Sequence, residues 1–147
     1  PPPLPPPPDP PTPPNYGSPP IGPCTLAVEA ELTCGETATG STAGASDDTG
    51  GPSGDHFYGV SLPAAFAYML VDTCGGSTDF DTVLRAHYGC NGSRPVGLLA
   101  ANNDACGSGG LGSRIFLGAA DFASGNGSAI ITVEGHRGNE GSYTINV

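Results

Sequence analysis

The proline content of the first 23 residues constrains the fold of this chain more than any other feature of its sequence. Fourteen of the 17 prolines lie there. Proline fixes φ at about −65° and has no backbone N–H, so such a segment can enter neither an α-helix nor the interior of a β-sheet. From Pro1 to Pro14 we expect a polyproline II rod of about 3.1 Å per residue, about 43 Å in all. We call residues 1–23 the arm; its composition favours a stiff spacer somewhat over a segment for binding or assembly.

Residues 24–147 have a different pattern, in which short apolar runs are separated by Gly, Ser, Asn and Asp. This pattern is typical of an all-β domain. We therefore predict an antiparallel two-sheet β-sandwich or jelly roll of about eight strands, preceded by the polyproline II arm. The predicted strands are Leu26–Leu32, His56–Leu62, Phe66–Asp72, Asp81–Tyr88, Val96–Ala101, Arg114–Ala119, Ser128–Gly135 and Ser142–Val147.

Three segments of the domain carry more detailed expectations. Residues 26–32 alternate in polarity, so their apolar side chains should point into the core. Residues 36–55 have no apolar run and are predicted to form a long surface loop. The strands at 66–72 and 81–88 are expected to pair as a hairpin that turns at residues 75–79.

The charge of the chain excludes several classes of partner. Fourteen acidic residues face four arginines and no lysine, which gives a net charge of −10. Such a surface repels phosphate backbones and anionic lipid, so we expect neither nucleic acid nor a membrane surface as partner. No apolar run approaches the roughly 20 residues that span a bilayer, and the chain reads as already processed. Five cysteines without a C-x-x-C pair favour disulfides in an oxidising compartment, and hence a secreted, extracellular protein.

Three motifs of the domain resemble a known family. They are Asp81-Thr82-Val83-Leu84, the turn Asn102-Asn103-Asp104, and the pattern V-E-G-x-x-G-x-x-G-S-Y from Val133 to Tyr143. With the segments between them they resemble the bacterial pre-peptidase C-terminal domain and its eukaryotic relatives over nearly all of residues 24–147. The resemblance implies a β-sandwich module without catalytic activity, appended to secreted enzymes and surface proteins. Here, however, the domain follows proline repeats instead of a protease.

The arm resembles the hydroxyproline-rich extracellular matrix glycoproteins of green algae and plants. This resemblance implies hydroxylated prolines that carry O-linked sugars. The candidate positions are Pro2, Pro3, Pro5, Pro6, Pro7, Pro8, Pro10, Pro11, Pro13 and Pro14. In the domain, Asn91-Gly92-Ser93 and Asn126-Gly127-Ser128 match the N-x-S acceptor, so we predict N-linked sugars on Asn91 and Asn126.

The cysteines can be paired only in part from strand directions. If residues 66–72 and 81–88 form a hairpin, Cys74 lies at its turn and Cys90 at the far end, too distant for a bridge. The next strand returns to the turn, so we expect a Cys74–Cys106 disulfide. Cys24 and Cys34 are close in sequence, and we pair them although a bridge would bend the strand between them; the family pattern agrees. Cys90 is then left over, either buried and inert or linked to a neighbouring chain.

Few residues suggest chemistry at a site. Asp79, Asp81, Asn102 and Asp104 should converge at one end of the sheet, where oxygen ligands from two loops would bind Ca²⁺. The competing interpretation is that Asp and Asn cap turns through their own backbone and need no ion. We expect no other cofactor. His56, His87 and His136 are scattered, and neither a G-x-S-x-G elbow nor H-E-x-x-H occurs, so an enzyme is the least favoured class.

Two non-catalytic functions follow from these patterns. In the first, the chain is a structural subunit whose arm packs on a neighbouring subunit, in a groove lined by Tyr58, Tyr68 or Tyr88, and so builds a homo-oligomeric filament or matrix. In the second, it is a glycan- or protein-binding module tethered to a secreted enzyme. The absence of tryptophan and the few aromatic residues speak against a sugar-stacking platform.

Overall fold

Two β-sheets face each other in the computed structural model, which describes residues 22–107 and 110–147. The described residues form nine strands and two short helical turns. The strands are β1 (Ala30–Leu32), β2 (Thr37–Ser41), β3 (His56–Ser61), β4 (Tyr68–Asp72), β5 (Thr82–Asn91), β6 (Arg94–Asn103), β7 (Arg114–Gly118), β8 (Ser128–Gly135) and β9 (Ser142–Asn146). The helix α1 spans Ala119–Ser124, and a 3₁₀ turn spans His136–Gly138.

The larger sheet has the strand order β1-β3-β8-β5-β6, and the smaller one has the order β2-β9-β4-β7. Every pairing is antiparallel except the short parallel contact of β1 with β3. We call these the first sheet and the second sheet. Their arrangement confirms the predicted all-β sandwich. Residues 1–21 of the arm lie outside the described residues, so the predicted conformation of the arm and its candidate hydroxyprolines stay predictions.

The core lies between the two sheets and is built from alternate residues of their strands. On β8, for example, Ala129, Ile131 and Val133 point inward and are at most 2% exposed. Burial of these side chains is the main favourable term in folding. The rest of the core cluster consists of Leu32, Tyr58, Val60, Met69, Val71, Phe80, Leu84, Ala86, Ile115, Leu117, Phe122, Tyr143 and Ile145.

The predicted hairpin of residues 66–72 and 81–88 is wrong. β4 pairs with β7 and β9 in the second sheet, whereas β5 pairs with β6 and β8 in the first. The chain crosses between the sheets instead of turning back, and the crossing is held by buried hydroxyls. The hydroxyls of Thr73 and Thr82 are hydrogen-bonded to each other at 2.7 Å, and the Ser113 hydroxyl donates to the Thr82 carbonyl at 2.6 Å.

Three smaller differences concern element boundaries. β2 lies within the segment predicted as a loop, because this edge strand is held by backbone pairing with β9 and has no large apolar side chain to signal it. β1 begins only at Ala30, and Val28 is 37% exposed instead of buried. Helix α1 was not predicted; it begins where the Asp121 carboxylate accepts the Gly118 N–H at 2.7 Å, and it buries Phe122.

A buried chain of hydroxyl and imidazole groups joins the two sheets. The Tyr143 hydroxyl of β9 lies 2.8 Å from the Tyr58 hydroxyl and 2.7 Å from Nδ1 of His56, both on β3. Tyr58 and Tyr143 are each 1% exposed, and burial raises the pKa of both phenols above the ordinary value. The two phenols therefore act as neutral hydrogen-bonding groups.

Replacing Tyr143 with phenylalanine should lower the free energy of unfolding by about 2 kcal/mol, because it leaves the buried Tyr58 hydroxyl without this partner. Urea denaturation measures the change. The matched control is Tyr68→Phe, which removes a hydroxyl from a side chain that is 64% exposed and should cost less than about 0.5 kcal/mol. Equal effects of the two substitutions would contradict a stabilising role for the buried chain.

Candidate functional site

The point where the arm joins the domain is fixed by covalent and hydrogen bonds. Gly92, in the turn between β5 and β6, donates its N–H to the Pro23 carbonyl at 2.8 Å and accepts the Thr25 N–H at 2.9 Å. Between these bonds, Cys24 is linked to Cys90 by a disulfide with Cα atoms 5.3 Å apart. The last residues of the arm are thus fastened to the end of β5, a strand paired on both sides.

This disulfide corrects two sequence predictions. Cys24 pairs with Cys90 and not with Cys34, and Cys90 is therefore neither unpaired nor available for a link to another chain. The reason is that residues 24 and 25 pair with the β5–β6 turn before the chain reaches β1. Cys34 is the free cysteine of the described residues, and it is half-buried against the core.

The predicted Cys74–Cys106 bridge is confirmed, with Cα atoms 5.3 Å apart. The pairing arises because β6 runs back toward the start of β5, which lies beside the end of β4. The bridge was predicted from a β4–β5 hairpin that the structure does not contain; it forms because the crossing between the sheets also brings the end of β4 beside the start of β5.

Two aromatic side chains, Tyr68 and Phe116, are exposed on the outer surface of the second sheet, and a third, Phe66, is exposed in the turn before β4. Phe66 is 52% exposed, Tyr68 64% and Phe116 63%. Tyr68 on β4 and Phe116 on β7 have ring centroids 6.3 Å apart with tilted planes, and Phe66 lies two residues before Tyr68. Large aromatic side chains are usually buried, and exposed apolar patches mark interaction sites. We call these three residues the aromatic face.

The aromatic face ends in a charged pair along the same two strands. Arg114 of β7 lies opposite Asp72 of β4, with Nη2 3.5 Å from the Asp72 carboxylate and 3.5 Å from Sγ of Cys74. The Arg114 side chain is 40% exposed, whereas that of Asp72 is 13% exposed. A guanidinium has five N–H donors, so this long contact leaves most of its donor capacity unused.

The three tyrosines predicted to line a groove lie in different environments. Tyr58 is buried in the core, so it cannot contact a partner. Tyr88 is half-buried beside Gly97 of β6. Tyr68 alone of the three is exposed on a sheet surface. Its neighbour Phe116 could not be recognised from sequence, because strand pairing brings together two residues that are 48 positions apart.

A buried carboxylate pair, missed in the sequence, lies on the outer side of the first sheet. Glu134 of β8 and Asp55 are each 4% exposed. Glu134 accepts a 2.8 Å ion-pair contact from Arg85 of β5, and both carboxylates accept the Thr49 hydroxyl at 3.1 Å. Burial raises the pKa of Glu134, with Asp55 adding to the rise and Arg85 opposing it.

The Asp55 carboxylate also organises the long loop that precedes β3. It accepts the N–H groups of Asp48 and Thr49, each at 2.8 Å. Because Asp55 lies against Glu134 and Thr49 bonds both carboxylates, the loop is held to the first sheet through this cluster. Its long-range partners could not be recognised from sequence, since Thr49 and Glu134 are 85 positions apart.

The four residues predicted to bind calcium are not assembled into one site. The Asp79 carboxylate accepts the Ser142 N–H at 2.8 Å, and the Asn102 amide oxygen accepts the Arg114 N–H at 3.1 Å. Asp81 and Asp104 do lie together, and burial followed by the Asp104 charge raises the pKa of Asp81. Within the described ranges, no group of three or more His, Cys, Asp or Glu side chains is placed to hold a metal ion.

The histidines are separated in the structure, as the sequence suggested. His56 bonds Tyr143, His136 lies 3.1 Å from the Asn103 amide through Nδ1, and His87 is half-buried on β5. Burial, with the charge of Arg85 as a second cause, lowers the pKa of His87. The histidine side chains thus have different partners and form no common cluster.

Both predicted N-glycosylation residues are exposed in turns. Asn91 ends β5 next to the arm junction, and Asn126 lies between α1 and β8 with φ 54°. Their positions leave the side chains at the surface, and their occupancy stays a prediction. None of the helices among the described residues is long and apolar enough to cross a membrane.

Comparison with known proteins gives a likeness to a solved structure. No protein-family model and no curated protein matches the chain. Among solved structures, it is similar to the crystal structure of the pre-peptidase C-terminal domain of collagenase from Bacillus anthracis, with a TM-score of 0.48 and 14% sequence identity. The match covers 82% of this chain and 95% of that domain.

Proposed function

We propose that this chain is a secreted, non-catalytic structural subunit of an extracellular glycoprotein fibre or matrix. It assembles when the arm of one subunit packs on the aromatic face of a neighbouring subunit. The observation that carries the proposal is the exposure of Tyr68 and Phe116 on the outer surface of one sheet and of Phe66 just before β4, each more than half accessible. Proline-rich segments dock on aromatic surfaces of this kind, and a preorganised rod loses little entropy on docking.

The arm junction supports the same function. The disulfide to Cys90 and the two hydrogen bonds to Gly92 fix residues 23–25 to the domain, so a contact made by the arm constrains the position of the domain behind it. A contact between an arm and a different surface of the next subunit is head-to-tail, and such contacts generate filaments when they do not close. Sugars on Asn91, on Asn126 and on the arm would keep the polymer soluble.

A second candidate function is a glycan-binding module tethered to a secreted enzyme. The favouring observation is again the Tyr68–Phe116 pair, since adjacent exposed rings also stack on sugar rings. The two functions differ in what they require of the arm. Assembly requires residues 1–14, whereas sugar binding by the aromatic face does not.

Replacing Tyr68 and Phe116 together with threonine should weaken self-association of the full chain at least about tenfold, because two aromatic anchors are lost. Threonine keeps the strand preference of β4 and β7, so the fold should persist. Sedimentation velocity over a range of concentrations measures association, and a chain lacking residues 1–14 should remain monomeric. The matched control is Leu98→Thr on β6, which alters a side chain that is 60% exposed on the other sheet.

Three outcomes would contradict the proposal. A wild-type chain that is monomeric at every concentration shows no assembly. Association that survives deletion of residues 1–14 does not use the arm. Glycan-array binding that depends on Tyr68 and Phe116 but not on the arm would establish the second candidate function instead.

A further inference from the structure

The arm carries one ionised side chain, Asp9, and the aromatic face ends at one cation, Arg114. We infer that, in the assembly proposed above, the Asp9 carboxylate of one subunit pairs with the Arg114 guanidinium of its neighbour and sets the register of the arm. The inference rests on the proposed function and adds to it a specific pair of residues. Charged groups across an interface commonly fix register in this way.

The Arg114 guanidinium has donors available to bind a second carboxylate. Its side chain is 40% exposed, and Asp72 approaches only one terminal nitrogen, at 3.5 Å. A bidentate arginine–carboxylate pair has nitrogen–oxygen distances of about 2.7–2.9 Å, so Asp72 does not satisfy the guanidinium. The buried Nε of Arg114 also has no partner among the described residues.

Arginine is scarce in this chain, which narrows the choice of partner for Asp9. Of the four arginines, Arg85 already forms a 2.8 Å ion pair with the buried Glu134. Arg94 begins β6 and Arg137 follows β8, so neither lies on the strands that carry the exposed rings. Arg114 is the arginine that shares strands β4 and β7 with the exposed rings.

If the arm is the predicted polyproline II rod, its prolines before Asp9 would reach the exposed rings when Asp9 lies at Arg114. A polyproline II rod has three residues per turn, so in the predicted rod Pro6 would face the same side as Asp9 at a distance of about 9 Å. Along β7, Phe116 lies two residues from Arg114, about 7 Å, and the Tyr68 position opposite Gly118 lies four residues away, about 13 Å. With Asp9 on Arg114, Pro6 therefore lies over the gap between the two rings. The uninterrupted run Pro5–Pro8 covers the rest of the pair.

A charge exchange in the full chain tests this register. Asp9→Arg and Arg114→Glu should each weaken self-association about tenfold, because each places like charges together. The double variant Asp9→Arg with Arg114→Glu should recover most of the wild-type association. The effect of either single change should shrink as salt rises, since the pair is partly exposed. Sedimentation velocity at low and at high salt gives these values.

Two further variants separate folding defects from the loss of the pair. Arg114→Glu also removes the contact with Asp72, so its thermal unfolding is compared with that of wild type; Asp9→Asn lies in the arm and leaves the domain sequence unchanged. Asp9→Asn alone should weaken association by about threefold. Combining Asp9→Arg with Arg94→Glu changes the same charges at another exposed arginine and should give no recovery.

The outcomes distinguish this inference from the proposed function. If association requires residues 1–14 and the aromatic face but ignores Asp9→Asn and the charge exchange, the register is wrong and the assembly stands. If Arg94→Glu restores association as well as Arg114→Glu, the assigned arginine is wrong. If the wild-type chain does not associate, both the assembly and the register are overturned.

Discussion

Replacing Cys24 and Cys90 with alanine should lower the free energy of unfolding by about 4 kcal/mol. The bridge links residues 66 positions apart, and closing a loop of that length restricts the unfolded chain strongly. Truncating Cys90, which is 1% exposed, adds the cost of a small cavity. Guanidinium denaturation measures the change, with Cys34→Ala as background so that no new pairing forms.

The control for this experiment is Cys34→Ala alone. Cys34 is half-buried and free, so its loss should cost less than about 1 kcal/mol. A non-reducing peptide map of the wild-type chain should show Cys24 joined to Cys90. A map that joined Cys24 to Cys34, with little destabilisation in the Cys24 and Cys90 variant, would contradict the arm junction described above.

Replacing Arg85 with methionine should lower the free energy of unfolding by about 3 kcal/mol at neutral pH, because it leaves two buried carboxylates without their cation. This is the low end of the range for buried pairs, since 38% of the Arg85 side chain is exposed. Methionine retains the apolar stem that packs on the sheet. Urea denaturation gives the difference from wild type.

The loss in the Arg85 variant should depend on pH in a defined direction. The pKa of Glu134 is raised in the folded state above its ordinary value of 4.5. A group with a raised folded pKa contributes stability that is complete below the unfolded value and is lost as pH rises through the folded value. Without Arg85, which opposes the rise, the pKa of Glu134 rises further, so the deficit should be large at pH 7 and should shrink toward pH 4.5.

Glu134→Gln provides the control for this pH dependence. Glutamine cannot ionise, so adding Glu134→Gln to Arg85→Met should recover part of the lost stability at neutral pH and little near the ordinary glutamate pKa. A deficit that is equal at both pH values would contradict the charge pairing, because a loss that arises from an unpaired carboxylate must shrink as Glu134 becomes protonated.

The sequence predicted the class of fold but not which strands pair. Alternation along residues 26–32 predicted a strand with inward apolar side chains, but β1 begins only at Ala30, and Val28 is 37% exposed. Alternation does not say which sheet a strand joins, so β4 and β5 were assigned to one hairpin. Which sheet β4 and β5 each join depends on the buried contacts of Thr73, Thr82 and Ser113 at the crossing. These contacts connect residues up to 40 positions apart.

Of the two parts of the proposed site, the arm was recognisable in the sequence and the aromatic face was not. Proline content alone predicted a segment that enters neither a helix nor the interior of a sheet, and its docking on another subunit is a proposal. The aromatic face forms because Tyr68 and Phe116 both point outward on neighbouring strands. In sequence, an exposed aromatic residue of a strand cannot be distinguished from a buried one. The arm junction depends on residues 24 and 25 pairing with the β5–β6 turn, a contact without any local pattern.

In the proposed fibre, the disulfide between Cys24 and Cys90 would also determine which strand receives the tension applied to the arm. Tension on the arm passes through the sulfur–sulfur bond into the end of β5 and bypasses the three-residue β1 at the sheet edge. β5 lies between β6 and β8, and a pull along its axis would shear both hydrogen-bond ladders at once instead of peeling them one bond at a time. A thread made of such subunits would stretch little before its domains opened, and a reducing agent would weaken it at every joint.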